Sequence, residues 1–313
     1  LALSINKLIG SGTPVSERKR LAIEMFERGN SKGVVEILNE KDIAADAAQA
    51  RKEIEQGKLL VDSGRSLIEA GLQKTRSLAE EYVLRAKALM TDYAEPRRFE
   101  LACHAYEQGI ELIRANLSEK ELAKSLFEYG HFLQTNKRYD LAEVRYRENL
   151  DICQRLAAIS PQVYEPDLAD TQYNLGCLYY NIRRYEDSEK MYLSAMEIYR
   201  RLAAANPQVY EPGLVRACNN LSLLFLAQGN FEEAERYARE GLKYDSTHHT
   251  IYTNLAASLL LQGRYAEAEE IYLRYKEELK EDFLSDFEVF YQRGIIPPER
   301  EDDVERIKKL LSK

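Results

Sequence analysis

Asn174, Asn220 and Asn254 each stand immediately before a leucine, in the phrases NLGCLYY, NLSLLFL and NLAASLL. A side-chain amide carries both a donor and an acceptor. A row of three therefore suits the backbone of an extended peptide, whatever that peptide's sequence. If these phrases are helical, Lys124, Asp170, Arg216 and Thr250 sit one turn upstream of matching positions, and the Arg216 guanidinium would receive a carboxylate. His131, Gln134, Tyr173, Tyr180 and Asn181 fall on the same face, adding adaptable hydrogen bonds and flat aromatic area. A second reading stays open, in which the amides merely bond neighbouring helices.

Other chemistry finds no support. HExxH, GxSxG, a phosphate-binding glycine loop and a dinucleotide fingerprint are all missing from the sequence. His248 and His249 are adjacent but lack further ligands nearby, and Cys103, Cys153, Cys177 and Cys218 form no CxxC pair. Neither a metal site, a cofactor nor a catalytic constellation is expected, and the thiols read as free groups in a reducing cytoplasm. The formal charge of −8 argues against nucleic acid as the main ligand, because such binders usually present a basic face. No apolar run approaches the ~20 residues of a membrane span. With 45% hydrophobic residues, the chain has ample material for a core. It begins at Leu1 without a charged-then-apolar leader, so it is expected to be a fragment of a cytoplasmic protein.

The elements that must position these residues repeat. The segments 174–195, 220–241 and 254–275 share one grammar. A small residue follows the leucine (Gly176, Ser222, Ala256), an aromatic marks a turn (Tyr185, Phe231, Tyr265), and another small residue comes three later (Ser188, Ala234, Ala268). Antiparallel helices approach closely only where small residues sit at their crossing. Two more copies lie upstream, at 89–109 with Phe99 and Ala102 and at 129–149 with Gly130, Tyr139 and Ala142. A weaker one, 21–38, keeps Leu21, Ala22, Gly29 and Val34.

This grammar resembles the tetratricopeptide repeat, although its usual first-helix tryptophan is missing because the chain has no Trp. The resemblance implies an all-α fold, a right-handed α/α superhelix or solenoid whose first helices line a concave groove. It also implies that Asn174, Asn220 and Asn254 hold peptide backbones or terminal carboxylates. Chaperone-tail binders of the family clamp a carboxylate with basic pairs, and here the chain departs: Glu128 follows Lys124, and Asp170 stands where a base is wanted.

The turn aromatics Phe99, Tyr139, Tyr185, Phe231 and Tyr265 are 40, 46, 46 and 34 residues apart, and only the last interval is the family's standard one. In the longer repeats the phrase PQVYEP occurs twice, at 161–166 and 207–212. It reads as a connector in which Pro161 and Pro207 stop one helix and Pro166 and Pro212 start the next. Extended repeats of this form resemble the kinesin light chain type, also found in bacterial regulatory and scaffold proteins.

The ends differ from the repeats. From about Asp42 to Met90 no proline occurs, with Ile54, Val61, Ile68, Tyr82 and Leu89 at one heptad position and Gly57, Gly64, Gly71 and Leu78 at the other. One helix of ~50 residues with a glycine seam is expected, packed on a neighbour or on a second copy through 54–89; two helices broken near Gly64 is the alternative. The expected layout is 1–93 as a helical section with a degenerate repeat and long helix, 82–283 as about five repeats, and 284–313 as capping helices. The function expected is a non-enzymatic scaffold or adaptor binding a protein or peptide in the groove. The alternative is a regulatory arm of a signalling or nucleotide-hydrolysing effector whose catalytic domain lies upstream of Leu1.

Overall fold

In four of the repeats a left-handed residue ends the inter-helix turn and an aromatic then starts the second helix, whereas the copy with Phe99 has no left-handed residue in its turn. Lys137, Arg183, Gly229 and Gly263 have φ of 59°, 61°, 75° and 82°, and two residues later Tyr139, Tyr185, Phe231 and Tyr265 are the first helical residues. Gly29 repeats the device at φ 74° in the degenerate copy. The turns are therefore set by backbone chirality as much as by hydrophobicity.

The computed structural model describes residues 16–59 and 64–312, and those residues are all-α, with no strand among them. The helices are α1 (Glu17–Glu27), α2 (Ser31–Ile37), α3 (Glu40–Leu59), α4 (Gly64–Thr91), α5 (Arg98–Asn116), α6 (Glu119–Thr135), α7 (Tyr139–Ile159) and α8 (Pro161–Asn181). They continue as α9 (Tyr185–Ala205), α10 (Pro207–Ala227), α11 (Phe231–Tyr244), α12 (His249–Leu261), α13 (Tyr265–Arg274), α14 (Lys276–Arg293) and α15 (Glu301–Ser312). The chain divides into two units, one ending at Tyr129 and the other beginning at Gly130.

In the first unit α3 packs on α4 and α4 on α5. The expected single helix over 42–90 is corrected here. A Cβ at Gly71 would lie 2.7 Å from the Ile54 side chain and 3.2 Å from the Ala50 carbonyl. On one continuous helix, residues 54 and 71 would be ~25 Å apart. The chain therefore reverses between α3 and α4, and the glycine seam at Gly71 meets the chain's own preceding helix. Val61 lies outside the described residues, as does the side-chain packing around Gly57 and Gly64. Of the heptad positions described, Ile54, Leu78, Tyr82 and Leu89 are buried and Ile68 is half-buried. A polar cluster ties α1 to this core: the fully buried Lys19 pairs with Glu80, and Arg18 bridges Glu81 at 2.7 Å and Asp46 at 2.8 Å.

In the second unit the small residues stand at the crossings. A Cβ on Gly130 would meet the Tyr146 ring at 2.9 Å, and one on Gly176 would meet Tyr192 at 2.5 Å. Where the small residue is serine it also links the pair, Ser188 Oγ donating to the Gly176 carbonyl at 2.8 Å and Ser222 Oγ to the Ala234 carbonyl at 2.7 Å. The connector reading is corrected as well. Ser160 and Asn206 alone separate the long helices, and Pro161 and Pro207 begin α8 and α10, with Pro166 and Pro212 inside them. Proline at the first helical position removes only an N–H that would be unpaired anyway. Pro166 and Pro212 fall one turn further on, where each omits one helical bond.

α14 and α15 close the array. α14 packs on both α12 and α13, burying Leu279, Phe283, Phe287 and Phe290, and Phe283 meets Tyr272 edge-on at 4.7 Å. Gly294, at φ 65°, ends α14 in the left-handed conformation. As a result α12 is buried at every residue from Thr253 to Leu261, the signature of a helix apolar all round.

Candidate functional site

The candidate face is formed by the first helices of the repeats. Lys124 belongs to the first unit, where it lines a shallow cleft with Glu80, Glu121 and Glu128. His131, Tyr173, Asn174, Tyr180, Asn181, Arg216, Asn220 and Asn254 belong to the second unit. His131 and Asn181 are exposed on the last turns of α6 and α8.

The three amides take different partners. Asn174 Nδ2 donates to the Asp170 carbonyl of its own helix at 2.8 Å. Asn220 Nδ2 lies 2.9 Å from the Tyr173 hydroxyl, 3.3 Å from the Tyr192 hydroxyl and 3.4 Å from Cys177 Sγ, so its two hydrogens serve three acceptors on two other helices. Asn254, only 4% exposed, donates to the Asn219 side-chain oxygen at 3.0 Å and backbone carbonyl at 3.2 Å. Two of the three thus bond neighbouring helices, which is what the second sequence reading described.

Around them the chemistry is cationic and aromatic. Arg216 is about half exposed, its guanidinium 5.0 Å from the Tyr173 ring centre and 3.8 Å from Asp170. The Tyr199 hydroxyl donates to the same Asp170 oxygen at 2.6 Å, which anchors the carboxylate. Burial raises the Tyr173, Tyr192 and Tyr199 hydroxyls above the ordinary phenol value, so all three stay protonated as donors. Burial likewise pushes Cys153 up to about 11 and Cys218 to about 12, and raises Cys177. These thiols are neutral at physiological pH and poor nucleophiles. Among the described residues, no group of three His, Cys, Asp or Glu side chains is placed to hold a metal ion, and no helix is long and apolar enough to cross a membrane.

α14 supplies two groups that sequence reasoning missed. Arg293 Nη1 donates to the Tyr180 hydroxyl at 3.1 Å, with its guanidinium 5.7 Å from the ring centre. Asp286, also on α14, is half-buried, and burial pushes its carboxyl up to about 6 with help from Asp282. The only sequence hint was an arginine in the last turn before Gly294, which marks a helix end but not what lies opposite it.

With this geometry in place, the family assignment follows. A family model described as tetratricopeptide repeat matches residues 168–206, and a second of the same description matches 219–282. These two stretches are tetratricopeptide repeats. The first match spans α8 and α9 as a pair, and the second runs from α10 into α14. Among solved structures, the chain is similar to a Signal Transduction ATPase with Numerous Domains protein with a tetratricopeptide repeat sensor, from Pyrococcus horikoshii. That likeness has a TM-score of 0.53 and 18% identity, covering 86% of this chain and 43% of that one. It is also similar to BtubC (BKLC) from P. vanneervenii, with a TM-score of 0.48, 17% identity, and coverage of 86% of this chain and 92% of that one. No curated protein matches the sequence.

Proposed function

We propose that this protein is a binding scaffold that captures a protein segment along the first-helix face of its second unit. Repeats of this family are protein-interaction modules, and the observation that carries the reading is Arg216. It is a half-exposed guanidinium over Tyr173, with its one ion pair among the described residues, to Asp170, as long as 3.8 Å. A cation placed over a ring and weakly paired is available to a ligand carboxylate. Asn174 and Asn181 supply polar groups beside it, while Asn220 and Asn254 hold the helices that present the face.

The reading as a regulatory arm of a larger effector draws on the sensor named for the Pyrococcus protein, a likeness of fold. It would leave the same face as the sensing surface.

The test is capture of partners from native lysate by the parent chain and by an Arg216→Glu variant whose helical circular dichroism is unchanged. A partner held by the parent and lost by the variant supports the reading. Identical capture by both would move the binding surface elsewhere.

A further inference from the structure

The structure assigns to Arg293, which lies outside the repeats on α14, the role of a second ligand-reading cation beside Arg216, making a two-guanidinium face for an acidic, extended peptide segment. This rests on the reading of the first-helix face given above and names its ligand class.

Three observations carry it. Tyr173 and Tyr180 are seven residues apart on α8, two helical turns, so they share a face and stand about 10 Å apart along the axis. Each carries a guanidinium from a different element, Arg216 of α10 over Tyr173 and Arg293 of α14 over Tyr180. Both arginines are exposed, and their charges are poorly neutralised. Arg216 is 3.8 Å from Asp170, and Arg293 has as its polar contact a neutral phenol, with no ion pair to it among the described residues. By contrast, Arg184, Arg200 and Arg264 each hold a carboxylate at 2.6 Å or closer. In a chain with more acids than bases, two arginines left on tyrosines form a local positive site on a negative molecule, the arrangement that steers an anionic partner.

The spacing sets the ligand. A segment in the polyproline II conformation advances about 3.1 Å per residue with three residues per turn, so two carboxylates three positions apart share a face and span about the same 10 Å. α14 also fixes where the site ends. It covers α12, whose Thr253 and Asn254 are buried, so the segment lies over α8 and α10 and stops at Arg293.

The test uses a displayed library of random dodecapeptides selected on the whole chain, and on the Arg293→Gln, Arg293→Lys and Arg216→Gln variants. Peptides enriched on the parent are expected to carry Asp or Glu pairs three positions apart. Selection on Arg293→Gln should retain one acidic position and lose the other, while Arg293→Lys keeps both, which separates loss of charge from loss of fold. A synthetic enriched peptide should bind Arg293→Gln about fivefold more weakly by calorimetry. The inference is overturned if no peptide is enriched, if enriched peptides lack the acidic pair, or if Arg293→Gln selects the same pair as the parent. Should Arg293→Gln change nothing while Arg216→Gln abolishes enrichment, the second cation fails and the first-helix site survives. If neither variant matters, the first-helix site fails with it.

Discussion

Arg293, near the end of the chain, donates to the hydroxyl of Tyr180, 113 residues earlier. The contact ties the closing helix to the face of a repeat that it does not adjoin in sequence. It makes α14 part of the candidate site as well as the cover of α12, and it joins the stability of the array's end to the chemistry of its binding face.

The amides at matching positions should respond unequally to truncation. Asn220→Ala leaves the Tyr173 and Tyr192 hydroxyls without their shared donor, and Asn254→Ala removes a buried bond between helices. Each is expected to cost about 1–3 kcal/mol. Asn174→Ala loses only a bond within its own helix and should cost under about 1 kcal/mol. Urea denaturation of the three variants checks the order, and equal costs would contradict it.

Asp286 should make stability depend on pH. Its folded value of about 6 lies above the ordinary carboxylate value, so between about pH 4 and 6 the folded state binds more protons than the unfolded state. The contribution is fully present below about pH 4 and is lost as pH rises through 6. Asp286→Asn should therefore stabilise the chain at pH 7.5, by about 1–2 kcal/mol, and leave it unchanged at pH 4. Denaturation at both pH values gives the answer, and a difference that persists at pH 4 rejects the carboxylate as its cause.

Lys137 and Arg183 occupy the left-handed turn position that Gly229 and Gly263 fill in the later repeats. Lys137→Gly and Arg183→Gly are each expected to stabilise by about 0.5–1 kcal/mol, the relief of Cβ strain exceeding the added freedom of the unfolded chain. Raised melting temperatures would confirm this, and lowered ones would show that the lysine and arginine side chains contribute more than the strain costs.

Gly176→Ala would place a methyl 2.5 Å from the Tyr192 ring. A loss of about 1–3 kcal/mol is expected from overpacking at this crossing. The double variant with Tyr192→Leu should recover part of it, and additivity of the two changes would argue against the clash.

The repeats were legible because small and aromatic residues must recur wherever helices cross, so Gly176, Ser222 and Ala256 announced themselves by spacing alone. The connector misled because proline stops one helix and begins another with equal ease. Pro161 took the starting role, two residues after Ile159 ended α7, with Ser160 alone between them. One helix or two broken near Gly64 stayed open in the sequence, and the second holds, because a heptad pattern describes a packed face without saying whether the partner is another chain or the same chain folded back. In the site, Arg216 and Tyr173 could be placed by register. Arg293 could not, since its distance from Tyr180 is set by how α14 crosses α12, and no local pattern encodes that crossing. The amide row was visible, but its partners were not, because an amide serves a ligand or a neighbouring helix with the same atoms.

The central claim is that the first-helix face, and not the second-helix back, receives the partner. A photoreactive benzoylphenylalanine at exposed Asn181 on α8, compared with one at exposed Lys190 on α9, tests it most directly in native lysate. The account predicts a cross-linked partner from position 181 and none from 190. Cross-linking from 190 alone would contradict it.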